Sequence, residues 1–420
     1  MYRIRLKAAV AASAVAAVVL HVSEQRASSA NAQARQSTSP WKVASITAAA
    51  AGERRTALPP AGRQDGPDSE LPAGVVLGGG AVYTLTHPGS YYLTTNVAVP
   101  AGQHGIAIES GDVTLDLLGF EMVGGGAALD GIRVADGAVN VTIRNGTLRG
   151  FSGIGVNGGA AAVCRVDGIR VGDCGTGILA GRAAEVRRCV AENNGAGGIF
   201  VGHEAVVADC AANGSLGNGF YALESSRFSG CTARGNQGDG FYLDGDGCTV
   251  THCHAIANGR YGVASIYGGT VVDTFAQQNA GHGIWTLSPM QIRECTATGN
   301  GTDGIFASDG ATISGCTLRG NGENGLRAAA GSMVRGNHCF QHVAGAGILI
   351  VGDGGRIEEN HVVGGAAGLR VVAGGNLLLR NSVSGVDTAY EIAAGNGLGP
   401  IVAGGDVELS ESPNANFRLP

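Results

Sequence analysis

Beyond Lys42 the chain contains no lysine. With a formal net charge of −6, that absence argues against a nucleic-acid partner, which is held by cations clustered on one face. It also excludes any chemistry that needs a lysine base. A phosphate-cradling loop, a dinucleotide fingerprint and a Ser-His-Asp order are missing as well. No stretch shows helical periodicity, and the one N-terminal apolar run, residues 8–20, is made mostly of small residues. It falls short of the ~20 residues a membrane helix requires. Arg3, Arg5 and Lys7 lie ahead of or inside the approach to this run, and Ala32-Gln33-Ala34 follows it as a cleavage site, with Ala30 as the competing position. Residues 1–34 therefore read as a secretory signal, and 35–70, rich in Ala, Ser, Thr, Gly and Pro, as a disordered spacer. No membrane span is expected once the signal is removed, and the mature chain is expected in the periplasm, at the cell surface or outside the cell.

Glycine is what the chain has in excess: 73 of 420 residues, against the usual ~7%, yet without a collagen triplet. Much of it sits in a Gly-plus-aliphatic pair that recurs about every 21 residues. The pairs begin at Gly105, Gly131, Gly153, Gly177, Gly198, Gly219, Gly240, Gly262, Gly283, Gly304, Gly325, Gly347 and Gly368. A repeat this short and regular predicts a solenoid whose units bury their apolar sides only by stacking. Each unit has a short alternating strand, a small turning residue, a second strand, a Gly/Asn loop and then Gly-Ile-x-x. Alternation without a helical stretch predicts an all-β fold with three short strands per turn. About thirteen coils of 21–22 residues fill 105–395 as one elongated domain, with an N-terminal cap over 71–104 and a C-terminal tail over 396–420. At an inter-strand spacing of ~4.8 Å the rod is ~60 Å long.

These residues carry a resemblance. The opening GSYYLTTNVAVP, then DVTLDLLGF and NVTIRNGTLRGF, and the ending NLLLRNSVSG, YEIAAGNGLGPIV and NANF are similar to secreted bacterial β-helix repeat proteins of the pectin-lyase-like superfamily. The resemblance covers about residues 80–417. It implies a right-handed, single-stranded parallel β-helix in which the turning residue lies between the second and third sheets and Gly-Ile-x-x forms the first. It further implies that polysaccharide substrates lie along the outside of that first sheet.

The turning residues form a column: Asn145, Asp167, Cys189, Cys210, Cys231, Cys253, Thr274, Cys295, Cys316, Asn337, Asn360 and Asn381. Six of the ten cysteines stand in it as small corner fillers. Stacked on parallel strands they point the same way, which fits disulfide geometry poorly.

In Gly-Ile-x-x the residue after Ile points outward. Read coil by coil, that row is Ala107, Arg133, Gly155, Leu179, Phe200, Tyr221, Tyr242, Ala264, Trp285, Phe306, Arg327, Leu349 and Arg370. Phe200, Tyr221, Tyr242, Trp285 and Phe306 are the ligand-binding candidates, because a linear aromatic row suits a linear glycan; a stiffening ladder is the competing reading. Just before each Gly-Ile stand Asn218, Asp239, Tyr261, His282, Asp303 and Asn324. Asp239, Tyr261, His282 and Asp303 are the candidate catalytic set, an acid, a phenol, an imidazole and an acid over ~14 Å. Asp244, Asp246, Tyr267 and Asp309 flank the far side of the same strands.

Named chemistries fit these residues poorly. Gly281-His282-Gly283-Ile284 resembles the GHG-I motif of polygalacturonases, and Asp239 stands where their NTD motif places an Asp. The coil between should hold an Asp pair and has Arg260-Tyr261, and no RIK element follows. No DPHE-like motif of mannuronan epimerases is present. Lyase chemistry leaves Arg260 or Arg327 as base and Ca²⁺ on Asp239, Asp244, Asp246 or Asp303 as a cofactor to test; a Tyr/His version would use Tyr261 and His282. A zinc set of His252, Asp273 and Glu294, with His254 nearby, reads equally as solvated strand positions, so no metal ligand is assigned. The sequence thus predicts an exported monomer that binds a polysaccharide and could cleave or isomerise it, with a non-catalytic surface or adhesive rod as the alternative.

Overall fold

A computed structural model describes residues 55–60, 71–159, 161–404 and 411–419. The signal over 1–34 lies outside the described residues. So does most of the spacer over 35–70, but within it Arg55–Ala57 forms a strand that pairs in parallel with Gly89–Tyr92.

The chain is a parallel β-helix in which nearly every strand pairs with the strand one coil before and one coil after. One exception is the hairpin Val75–Gly78 with Ala81–Leu85, which is antiparallel and closes the N-terminal end. The first sheet runs through about fifteen coils, from Ala81–Leu85 to the end of Ser382–Ile392, against the thirteen expected. At the two extra coils the Gly-Ile signature is absent: Tyr83 and Tyr390 take the inward position, in register with Ile106 and Leu369.

The signature glycines are there because the coils close on one another. A Cβ at Gly240 would lie 2.5 Å from the Gly262 carbonyl oxygen, and one at Gly262 equally close to that of Gly283. Ala389 stands in the same position in the last first-sheet strand, on which no further first-sheet strand stacks among the described residues, and it keeps its methyl.

The interior is a single column of apolar side chains. Alternation places Ile199, Phe220, Phe241, Val263, Ile284 and Ile305 inward on successive first-sheet strands, all at 0% exposure. Phe220 and Phe241 stack at 4.8 Å.

Two corners carry polar or thiol columns. Between the second and third sheets a residue in the left-handed region, such as Arg188, Asp209 or Glu294, turns the chain, and the next side chain points in. Cys189, Cys210, Cys231, Cys253, Cys295 and Cys316 are buried there as free thiols; the Cys189 Sγ–H donates to the Arg187 carbonyl at 3.1 Å. Further on, the Nδ2 of Asn337 donates to Asn360 Oδ1 and that of Asn360 to Asn381 Oδ1, each at 3.0 Å. Two expected members do not belong to this column. Arg144 pairs with Asp167 and Gly146 with Ile169, so Asn145 and Asp167 precede the inward position, which Gly146 and Ile169 occupy.

The corner between the third and first sheets holds a ladder that sequence reading did not pick out: Asn236, Asn258, Asn279, Asn300 and Asn321, all at or below 1% exposure. Each Nδ2 donates to a carbonyl of the preceding coil, and all but the last also donate to the next Asn Oδ1, at 2.9–3.0 Å. The ladder satisfies amides that would otherwise be costly to bury. Its signal was present as an Asn recurring every 21–22 residues.

Among the described residues no helix is long and apolar enough to cross a membrane.

Candidate functional site on the outer face of the first sheet

Strand register fixes the outward row. Leu179 pairs with Phe200, Phe200 with Tyr221, Tyr221 with Tyr242, Tyr242 with Ala264, Ala264 with Trp285, Trp285 with Phe306 and Phe306 with Arg327. The five aromatic candidates therefore share one face. One earlier coil is out of step with expectation. Val156, not Ile154, lies in line with Ile132 and Ile178, so the outward residue there is Asn157 rather than Gly155.

The aromatic rings stack on each other rather than lying flat on the surface. Tyr221 and Tyr242 are parallel at 5.7 Å, and Phe200 tilts onto Tyr221 at 5.5 Å. Tyr261 folds over the small Ala264 and stacks on Trp285 at 5.2 Å, which fills the one gap in the row. As a result Tyr221 and Tyr242 are only 3% and 6% exposed, whereas Phe200, Trp285 and Phe306 remain half-buried. Tyr221 Oη donates to Asp244 Oδ2 at 2.7 Å. Tyr242 Oη is buried with no hydrogen-bond partner.

Of the six residues Asn218, Asp239, Tyr261, His282, Asp303 and Asn324 in the row before the Gly-Ile pairs, all but one bracket the next coil. Asn218 Oδ1 accepts the Asp239 N–H at 2.9 Å, Asp239 Oδ1 the Tyr261 N–H at 3.0 Å, His282 Nδ1 the Asp303 N–H at 3.2 Å, and Asp303 Oδ1 the Asn324 N–H at 3.0 Å. Tyr261 is the exception, since its ring has left the row to cover Ala264. His104 and Asp130 repeat the His282–Asp303 contact near the N-terminus, where Asp130 N–H reaches His104 Nδ1 at 3.1 Å.

Asp239 and Asp303 are fully buried. Burial pushes the Asp239 carboxyl up to about 6 against the pull of Arg260, whose guanidinium meets Asp239 Oδ2 at 3.1 Å. Burial likewise raises Asp303, whose Oδ2 makes no hydrogen bond and lies 3.4 Å from His282 Nδ1. His282 is pulled down to about 4, again by burial, with its ring between Tyr261 at 5.3 Å and Phe306 at 5.1 Å. Its Nδ1 accepts from a backbone N–H and meets Thr302 Oγ1 at 2.8 Å, so the neutral ring carries its proton on Nε2.

Of the four candidate catalytic residues, Tyr261, His282 and Asp303 are brought together, the Tyr261 ring 5.3 Å from the imidazole and His282 Nδ1 3.4 Å from Asp303 Oδ2, but the two carboxyls do not converge. Asp239 and Asp303 are three coil steps apart, ~14 Å, beyond the ~6.5–9.5 Å between the carboxyl groups of inverting glycosidases. What faces outward is a belt of aromatic edges with hydrogen-bonding groups beside it: the Tyr261 ring, His282, Arg260, Asp244, the exposed Asp246, and Tyr267 at 49% exposure. Asp309 is exposed and accepts the Ala330 N–H at 3.0 Å. Away from this face, His252 and Asp273 meet at 3.4 Å on an exposed corner. Among the described residues no three His, Cys, Asp or Glu side chains are grouped to hold a metal ion.

A family model agrees on the fold. The family described as the right-handed β-helix region matches residues 85–227 and 210–340. Among solved structures, the A-module of mannuronan C-5 epimerase AlgE6 from Azotobacter vinelandii is 16% identical, with 79% of this chain and 90% of that chain covered and a TM-score of 0.41. A double mutant of the periplasmic alginate epimerase AlgG is 13% identical, covering 75% and 80%, at 0.40. A tailspike protein mutant of E. coli bacteriophage HK620 in complex with a pentasaccharide is 12% identical, covering 81% and 72%, at 0.41. No curated protein matches the chain.

Proposed function

We propose that this chain, which belongs to the right-handed β-helix family, is an exported monomer that binds a polysaccharide along the outer face of its first sheet, between Phe200 and Phe306. One observation carries the reading. A second apolar cluster sits on the outside of the solenoid, formed by Tyr221, Tyr242 and Ala264 with Phe200, Leu223, Tyr261, Ile266 and Trp285 packed against it. Its half-buried members Phe200, Tyr261 and Trp285, with Phe306 beside them, leave apolar surface on an outer face, and contiguous surface of that kind marks interaction sites. Carbohydrate has the complementary surface: apolar C–H faces to lie against ring edges, and hydroxyl groups for Asp244, Arg260, Tyr267 and His282.

Binding is supported better than turnover. The two buried carboxyls are committed to backbone N–H groups, so a cleavage or isomerisation step would have to be carried by the more exposed Tyr261, His282 and Arg260. A second reading, a rigid non-catalytic rod, is favoured by the burial of Tyr221 and Tyr242, since rings stacked on each other stiffen a sheet without any ligand.

Affinity electrophoresis of the mature protein in gels containing neutral or acidic polysaccharides separates the two. Retardation by at least one polymer that is lost in Trp285→Ala is expected. Migration unaffected by every polymer, or by the Trp285 substitution, overturns the binding reading and leaves the rod. Release of reducing ends or unsaturated uronate, lost in His282→Ala, would add turnover to binding.

A further inference from the structure

The outward row changes character immediately after Phe306. Arg327 is the next residue in register, and its guanidinium lies over the Phe306 ring at 5.0 Å. The other arginines of this face are neutralised: Arg133 by Glu109 at 2.9 Å, Arg370 by Glu391 at 3.1 Å and Arg260 by Asp239 at 3.1 Å. For Arg327 no carboxylate lies within 4.0 Å among the described residues, and its Nε is buried without a hydrogen-bond partner. One acid, Asp303, acts on it electrostatically but does not pair with it. Asp303 is fully buried and spends Oδ1 on the backbone and side chain of Asn324. Glu323 is exposed and acts on His282.

An arginine stacked on a ring keeps its fork of donors in one plane and at one place. His282 contacts the same Phe306 ring at 5.1 Å, with Nε2 as its donor. Phe306 therefore carries a cation and a neutral N–H donor against one ring, with no carboxylate of the described residues in contact with the cation and Asp303 acting on it only from a distance.

We propose that Arg327 and His282 form an anion-recognising end of this face, and that the polysaccharide it takes is acidic, its carboxylate or sulfate seated on the Arg327 guanidinium. The inference rests on the polysaccharide reading above and adds the substrate class. A neutral sugar hydroxyl would leave the guanidinium charge uncompensated. An oxyanion matches its paired N–H donors, and such charge-assisted bonds are roughly twice as strong as neutral ones. The negative net charge of the chain does not oppose this, because exposed charges more than ~8 Å away are largely screened at physiological ionic strength.

The test is affinity electrophoresis of the full mature chain on polygalacturonate and its carboxyl-reduced form, and on a sulfated galactan and its desulfated form. Arg327→Gln and Arg327→Lys are compared with Arg370→Gln, a control cation on the same row, and all must melt as the unsubstituted protein does. Preferential binding of one acidic polymer over its neutral counterpart is expected, weakened at least tenfold by Arg327→Gln, partly retained by Arg327→Lys and unchanged by Arg370→Gln. The acidic polymer bound tells carboxylate from sulfate. Equal retention on the acidic and neutral forms, or indifference to Arg327→Gln, overturns the inference while leaving polysaccharide binding intact. Retention on none of the polymers removes the underlying reading and this inference with it.

Discussion

The Nδ1 of His282 accepts the backbone N–H of Asp303, one coil further on, at 3.2 Å. An imidazole that looks poised for proton transfer in the sequence is thereby fixed as a coil-to-coil bracket, with its remaining proton on Nε2. The same contact between His104 and Asp130 shows that the bracket belongs to the solenoid and not to one site.

The ionisation of this ring should be visible. His282 and His342 are both pulled down to about 4 by burial, against 6.5 for the free side chain. Between those values the unfolded chain binds protons that the folded one refuses, so this contribution to stability falls as the pH drops from about 6.5 to about 4. Asp239, raised to about 6, works the other way and favours the folded state as it protonates. His342 lies beyond the end of the Asn ladder, where its Nδ1 accepts the Asn321 N–H at 3.4 Å and its Nε2 has no partner. His342→Asn should therefore narrow the difference between melting temperatures at pH 7 and pH 4.5; an unchanged difference would contradict the assignment.

The Asn ladder is interrupted at one rung. Ser215 is too short to continue it, and both Ser215 Oγ and Asn194 Nδ2 are buried without partners. Ser215→Asn is expected to stabilise by about 1 kcal/mol, the worth of a completed hydrogen bond. Asn279→Ala should cost more than ~2 kcal/mol, because it leaves buried groups in the neighbouring coils unpaired. Denaturant titration of the two variants checks both signs.

Gly262→Ala should be severely destabilising, since its Cβ would lie 2.5 Å from the Gly283 carbonyl and 2.8 Å from Asn279 Nδ2. The reverse change at the equivalent terminal position, Ala389→Gly, should cost no more than ~1 kcal/mol. Similar melting temperatures for the two would refute coil crowding as the reason for the glycine repeat.

All ten cysteines are free and buried. The native protein is expected to resist a thiol reagent that titrates all ten in denaturant. Rapid reaction of the native protein would contradict the inward column.

The repeat, the three-strand coil and the aromatic row were legible in the sequence because each depends on spacing alone. In the first sheet one register slipped, at Gly153-Ile154, because Gly155-Val156 is an equally good Gly-aliphatic pair two residues later; at the second corner Asn145 and Asp167 stand ahead of the inward position that Gly146 and Ile169 occupy. The terminal coils are not marked in the sequence because Tyr83 and Tyr390 take the position that Ile106 and Leu369 hold in the adjoining coils. Harder to see were facts that depend on neighbouring coils. Asp239 and Asp303 look like an acid pair until their oxygens are found on the next coil's backbone, and Tyr221 and Tyr242 look exposed until the rings around them are in place.

The central claim is that the belt around Trp285 is a polysaccharide-binding surface. The chain has two tryptophans, so a Trp41→Phe background leaves Trp285 as the only indole reporter. Its emission should shift and saturate as a bound polysaccharide is titrated in, with the same midpoint as gel retardation. Retardation without any change in Trp285 emission would place the ligand elsewhere and contradict the account.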